Sequence, residues 1–164
     1  MFKSNIQFFA RYLTVLGAFA SAQCFAEVKL PLTFNIVTSD DFTYEKTYVL
    51  HTQIYRLPAN QQQVLWPDII EVGVFEQSMR EQDNYVQLEL SADNYCARFF
   101  VDTNANQQLD VSSLGIPLEP VGFATNPNLT FGEPSPTQAC FNLQSGQELT
   151  VKLKEKKAKR RFKP

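Results

Sequence analysis

Asp102, Asn104, Asn106, Gln108 and Asp110 occupy alternate positions of the stretch DTNANQQLD. Oxygen-bearing side chains at that spacing suit a hard cation. Ca²⁺ takes six to eight oxygens from carboxylates, amide carbonyls and backbone carbonyls. On a calcium-loop pattern Asp102, Asn104 and Asn106 take positions 1, 3 and 5, Gln108 offers its backbone carbonyl at 7, and Asp110 falls at 9. Position 12 is Ser113, so the usual bidentate Glu is missing. Gln107 stands at the sharp turn, where a positive φ costs a non-glycine residue about 1–2 kcal/mol. Two formal charges and a strained turn predict weak binding, on the order of 10⁻⁴–10⁻³ M. Leu109 is expected to point into the core. The competing reading is an Asx-rich turn whose Asp and Asn side chains cap their own backbone.

The segment after the loop, LGIPLEPVGFATN, is the second place to look. Gly115 and Gly122 allow tight turns, while Pro117 and Pro120 fix φ in an extended path. Glu119 is its only charge and a candidate further ligand, as is Glu133; its bland role is to accept backbone N–H groups. Phe123, Asn126 and Phe131 mark a candidate surface for a small molecule or saccharide. Enzyme signals are thin. His51 is the sole histidine, and there is no G-x-S-x-G, histidine pair or glycine-rich phosphate loop. Acidic residues are plentiful, but no spacing singles out a hydrolytic pair.

Such residues must be positioned by strands, because no sustained 3.6-residue period follows the N-terminus. VKLPLTFNI alternates, with Leu30, Leu32, Phe34 and Ile36 on one side. Pro31 has no N–H and predicts an edge strand or a bulge. TYVLHTQIYRL is β-branched and aromatic without clean alternation, as in a strand covered on both faces. LPANQQQ is a polar loop. DIIEVGVF places Ile70, Val72 and Val74 on a buried face, and EQSMREQDN is a helical turn or loop. YVQLEL groups Val86, Leu88 and Leu90, SADN turns, and YCARFFV directs Tyr95, Ala97, Phe99 and Val101 inward. QACFNL directs Ala139, Phe141 and Leu143 inward, Gln144–Gly146 turns, and ELTVKL directs Leu149, Val151 and Leu153 inward. About seven short strands with turn signals predict an all-β sandwich or small barrel.

Residues 1–26 read as a signal peptide. Lys3 and Arg11 precede a short apolar run that ends in CFA before Glu27. The run is shorter than the roughly 20 residues a bilayer span needs. Residues 27–153 then form one domain and residues 154–164 a basic tail. Cleavage removes Cys24 and leaves Cys96 and Cys140, both on the outward side of their strands. An even pair in an oxidising periplasmic or secreted setting predicts a disulfide. From Lys152 onward eight Lys/Arg and one Glu give +7, whereas from Glu27 to Val151 five Lys/Arg and sixteen Asp/Glu give −11. An acidic body argues against nucleic acid. The tail suits a solvated terminus or weak contact with an anionic envelope surface.

The three consecutive pieces YCARFFVDTNANQQLD, LGIPLEPVGFATN and PSPTQACFNL resemble the bacterial domain-of-unknown-function family 2141 over Val86–Leu153. The resemblance implies an exported, mainly β domain of immunoglobulin-like or prealbumin-like kind and no established activity. Gln107 departs from the glycine that the family carries there. These residues leave three readings open: a non-enzymatic structural or interaction module with a weak Ca²⁺ loop, a small-ligand or saccharide binder, and a carboxylate hydrolase.

Overall fold

The computed structural model describes residues 27–40, 42–44, 48–58, 64–80 and 84–155. The expected signal peptide, residues 59–63 of the expected polar loop and residues 156–164 of the tail lie outside these. Eight strands run in chain order: β1 Lys29–Val37, β2 Val49–Arg56, β3 Ile70–Ser78, β4 Tyr85–Ser91, β5 Asp93–Asp102, β6 Val121–Phe123, β7 Cys140–Leu143 and β8 Gln147–Lys152. They form two sheets, one ordered β4-β1-β8 and one ordered β3-β2-β5-β6, with β7 also on β5. The fold is therefore an all-β sandwich, with eight strands rather than about seven. No helix among the described residues is long and apolar enough to cross a membrane.

β5 organises the larger sheet because its ten residues carry three partners. β2 pairs along one edge, while β7 pairs Asp93–Cys96 and β6 pairs Arg98–Phe100 on the other. Ala92 alone separates β4 from β5, so the expected turn SADN is a corner at which the chain changes sheets. The turn at Gln144–Gly146 does the same between β7 and β8. Alternation along β1 and β5 then aims Leu32, Phe34, Tyr95 and Phe99 into one core. Phe34 meets Phe99 and Phe141 edge-on, with centroids 5.0 and 5.8 Å apart. Each such ring contributes about 1.5–3 kcal/mol by burial.

One side of the sandwich is closed. Val121 of β6 exchanges two backbone hydrogen bonds with Lys154, just beyond β8. Gly122 makes this approach feasible, since a Cβ there would lie 2.8 Å from Val151 Cγ1.

Three expectations about strands need correction. β1 is the middle strand of its sheet, not an edge. Pro31 is tolerated because pairing with β8 begins only at Leu32, leaving one flank of Pro31 free. Ile70, Val72 and Val74 are exposed, and no residue of β3 is buried. β3 is the outermost strand of the wider sheet, and a bulge opposite Ile54/Tyr55 leaves Val72 unmatched. Finally, Glu76–Ser78 extend β3 instead of starting a helical turn, and Met79 is buried in the core. Residues 81–83 of that stretch lie outside the described residues. The reading of β2 as covered on both faces holds: five of its eight residues are buried.

Candidate functional site

Where β5 ends, Asp102 turns the chain out of the sheet and organises the loop that runs on to Asp110. Its Oδ1 accepts N–H groups from Asn104, Ala105 and Asn106 at 3.2, 2.7 and 3.3 Å, and Oδ2 accepts Gln107 N–H at 2.8 Å. The residue is only 3% exposed. Burial opposes its charge, but the N–H groups of Gln107, Ala105, Asn104 and Asn106 together outweigh that, and the carboxyl lies below its ordinary value. The path requires positive φ at Ala105 and Gln107, 64° each. The second was expected from the turn position; the alanine was not.

The rest of the loop is bonded inward as well. Asn104 and Asn106 both donate side-chain N–H to Asp110 Oδ2, and their own Oδ1 atoms accept from Asn106 N and Gln108 N. Glu119, also 3% exposed, clamps both ends. Its Oε1 accepts Thr103 N–H at 2.7 Å and its Oε2 accepts Asp110 N–H at 3.2 Å. Glu119 is thus buried under the loop and not part of a surface. Leu109 does not enter the core. It lies beyond the end of β5, partly exposed, and faces a cleft.

That cleft has a volume of about 890 Å³. Its floor is the outer face of the larger sheet, where Gln53, Arg98 and Phe123 stand opposite one another across three strands. Arg98 is held from several sides. It bonds Gln53 Oε1, donates to Tyr55 Oη at 2.9 Å and Glu133 Oε1 at 3.0 Å, and lies 5.0 Å from the Trp66 ring centroid. One wall is the loop from Gln107 to Pro117, with Leu109, Val111 and Ile116. The facing wall runs from Leu129 to Glu133, and Lys154 and Glu155 close the rim.

The structure therefore gathers Asp102, Asn104, Asn106, Gln108, Asp110 and Glu119 into one self-bonded loop and places Phe123 in the cleft floor. Asn126 stands apart from that floor: its side chain accepts Lys152 N–H and donates to Thr150 O, tying the chain to β8. Cys96 and Cys140 oppose each other in the ladder and form the expected disulfide. Cys96 is nevertheless buried, because Val64 and Ile69 pack over that part of the outer face. His51 is packed, stacked on Phe100 at 4.4 Å. Sequence reasoning missed Arg98 as a hub, although it is the one charge inside YCARFFV. It named Phe123 and Phe131 of the apolar lining but missed the rest, for which Leu114 standing directly before a turn glycine was a signal.

Fold and site together define a two-sheet β domain with a self-capped acidic loop beside an open apolar cleft. The chain belongs to the bacterial family described as "Uncharacterized protein conserved in bacteria (DUF2141)", whose model matches residues 45–152. The match reaches back over β2 and β3 as well as the three pieces that carry the resemblance. No curated protein and no solved structure matches the chain.

Proposed function

We propose that the chain is an exported, non-catalytic interaction module whose contact site is the cleft, taking a small ligand with an apolar body. The cleft carries this reading: it is within the size range of ligand sites and is lined mainly by apolar side chains around a few polar groups. The aliphatic walls favour a hydrocarbon body over a saccharide. A hydrolytic pair has less support, since Asp102 and Glu119 are buried and engaged by N–H groups. Export is supported by the signal-like N-terminus together with the disulfide. We further propose that the Asp102–Asp110 loop takes Ca²⁺ weakly, since an ion would have to displace the bonds from Asn104 and Asn106 to Asp110.

Titration of the mature protein with anilinonaphthalenesulfonate, followed by fluorescence, tests the cleft. Val111→Asp should weaken dye binding at least about tenfold, the equivalent of one lost apolar side-chain contact. Its melting should stay cooperative, because Val111 is exposed. Equal dye affinity in wild type and variant would overturn the reading.

A further inference from the structure

Of the charged residues lining the cleft, only Arg98 stands on a strand. Neutral groups fix its guanidinium. Nε bonds Gln53 Oε1, Nη2 donates to Tyr55 Oη at 2.9 Å, and Tyr55 Oη in turn donates to Gln53 Oε1 at 3.3 Å. Burial raises the pKa of Tyr55, so that hydroxyl stays neutral. The Tyr55 and Trp66 ring centroids lie 5.2 and 5.0 Å from Cζ. None of these contacts cancels the cation. Its counter-charge is Glu133, whose Oε1 accepts from Nη1 at 3.0 Å. Glu133 comes from the facing wall, and its side chain is 55% exposed. An ion pair that open to water contributes little, so the wall holds its carboxylate on Arg98 only loosely.

A guanidinium has five N–H donors. The three acceptors use three of them, which leaves one on each terminal nitrogen without an acceptor among the described residues. A planar carboxylate accepts two parallel N–H groups from such an end and is held more tightly than through one. Around that end the cleft is apolar, with Leu109, Val111 and Ile116 on one wall and Phe123 in the floor. We propose that the cleft's ligand is an amphiphile with a carboxylate head, a molecule of the fatty-acid type. The head takes the place of Glu133 on Arg98, and the chain lies along those apolar side chains. Arg98, Lys154, Glu133 and Glu155 are the charged groups of the cleft and sum to zero. The head is therefore selected by contact with Arg98 and not by attraction from a distance. Glu133 returns to water on exchange, so no buried charge is left unpaired. An uncharged hydrocarbon would leave both free N–H groups without an acceptor.

This inference rests on the proposed cleft ligand and specifies its head. The test is titration of the mature protein with decanoate and with 1-decanol at neutral pH. Binding is followed by the fluorescence of Trp66, the only tryptophan, which stacks on Arg98. Wild type should bind decanoate at least about tenfold more tightly than decanol. Arg98→Gln should remove that preference. Glu133→Gln, at an exposed position, should tighten decanoate about two- to fivefold by removing the competing carboxylate. That variant decides the matter should Arg98→Gln fail to fold. Equal affinity for the two probes in wild type, a preference that survives in Arg98→Gln, or decanoate binding unaltered in Glu133→Gln would each overturn the proposal. Decanol and dye binding without a preference for decanoate would remove the carboxylate head and leave the apolar cleft. Binding of none of the three probes would remove the cleft ligand itself.

Discussion

The outer face of the larger sheet is covered at one end and open at the other, and the covering segments explain why. Over Cys96 the chain returns as VLWPDI. Its Val64 and Ile69 are buried against Tyr55 and the disulfide, and Trp66 Nε1 donates to Pro134 O at 2.9 Å. Over Phe100 the returning loop bonds mostly to itself. Asp102 and Glu119 consume its N–H groups, and the apolar residues beyond it are left facing the cleft. Arg98 marks the border, with Trp66 on the covered side and Glu133 on the open side. Apolar burial seals one end, whereas side-chain-to-backbone bonding shapes the other without filling it. That difference leaves a cleft in a domain whose core is otherwise closed.

The largest expected effect lies at the covered end. The disulfide links residues 44 positions apart, for which chain entropy gives an upper figure of about 4 kcal/mol. Cys96→Ala with Cys140→Ala should lower the urea midpoint accordingly. The fluorescence of Trp66, the only tryptophan, should shift because it stands over the same patch. A loss below about 1 kcal/mol would mean that packing of Val64 and Ile69 seals this end without the covalent link.

The same division separates the parts that were legible in the sequence from those that were not. Strand alternation in β1, β5 and β8 exposed the core, because one face of each meets the other sheet and the period of two survives. The cysteine pair was legible from the even count left by the expected cleavage, the oxidising setting that export implies and the shared outward side of the two strands. β3 was misread since its alternation matches a buried strand, yet the facing sheet is two strands narrower and leaves it uncovered. Pro31 misled because proline forbids a donor, not a central position, and the register with β8 starts one residue later. In the loop the polar spacing marked a special turn, but cation ligands and Asx caps use the same side chains. The cleft was legible only in part: Phe123 and Phe131 stood out as a candidate surface, but Arg98 and Val111 join them only once β5, β6 and two loops are placed.

At the open end, Asp102→Ala should cost about 2 kcal/mol. It removes the acceptor of four N–H groups, although water replaces part of what is lost in an exposed loop. The folded carboxyl lies below its ordinary value. Its contribution is therefore present above the unfolded value of about 3.9 and is lost as pH falls through the lower folded value. The gap in urea midpoint between wild type and Asp102→Ala should accordingly be full at neutral pH and shrink below about pH 4. A gap unchanged down to strongly acidic pH would show that the N–H groups find other acceptors and that Asp102 does not hold the loop.

The smallest effect concerns the proposed ion. For a Kd of about 1 mM and about 10 mM Ca²⁺, the stabilisation is only about 1.4 kcal/mol, a shift of a few degrees in Tm. Mg²⁺ should do less, because it demands tighter octahedral geometry than this loop of amides and carboxylates provides. Gln107 adopts φ 64°. Gln107→Gly should therefore raise Tm slightly even in EDTA by relieving the turn, and should enlarge the Ca²⁺ shift if the strained turn also limits ion binding. Asp102→Asn should abolish the shift, since half of the loop's formal charge is lost. Wild-type melting at one temperature in EDTA and in Ca²⁺, at matched ionic strength, would remove the ion. The loop would then be a self-capped turn, and the contrast between the two ends would rest on backbone capping alone.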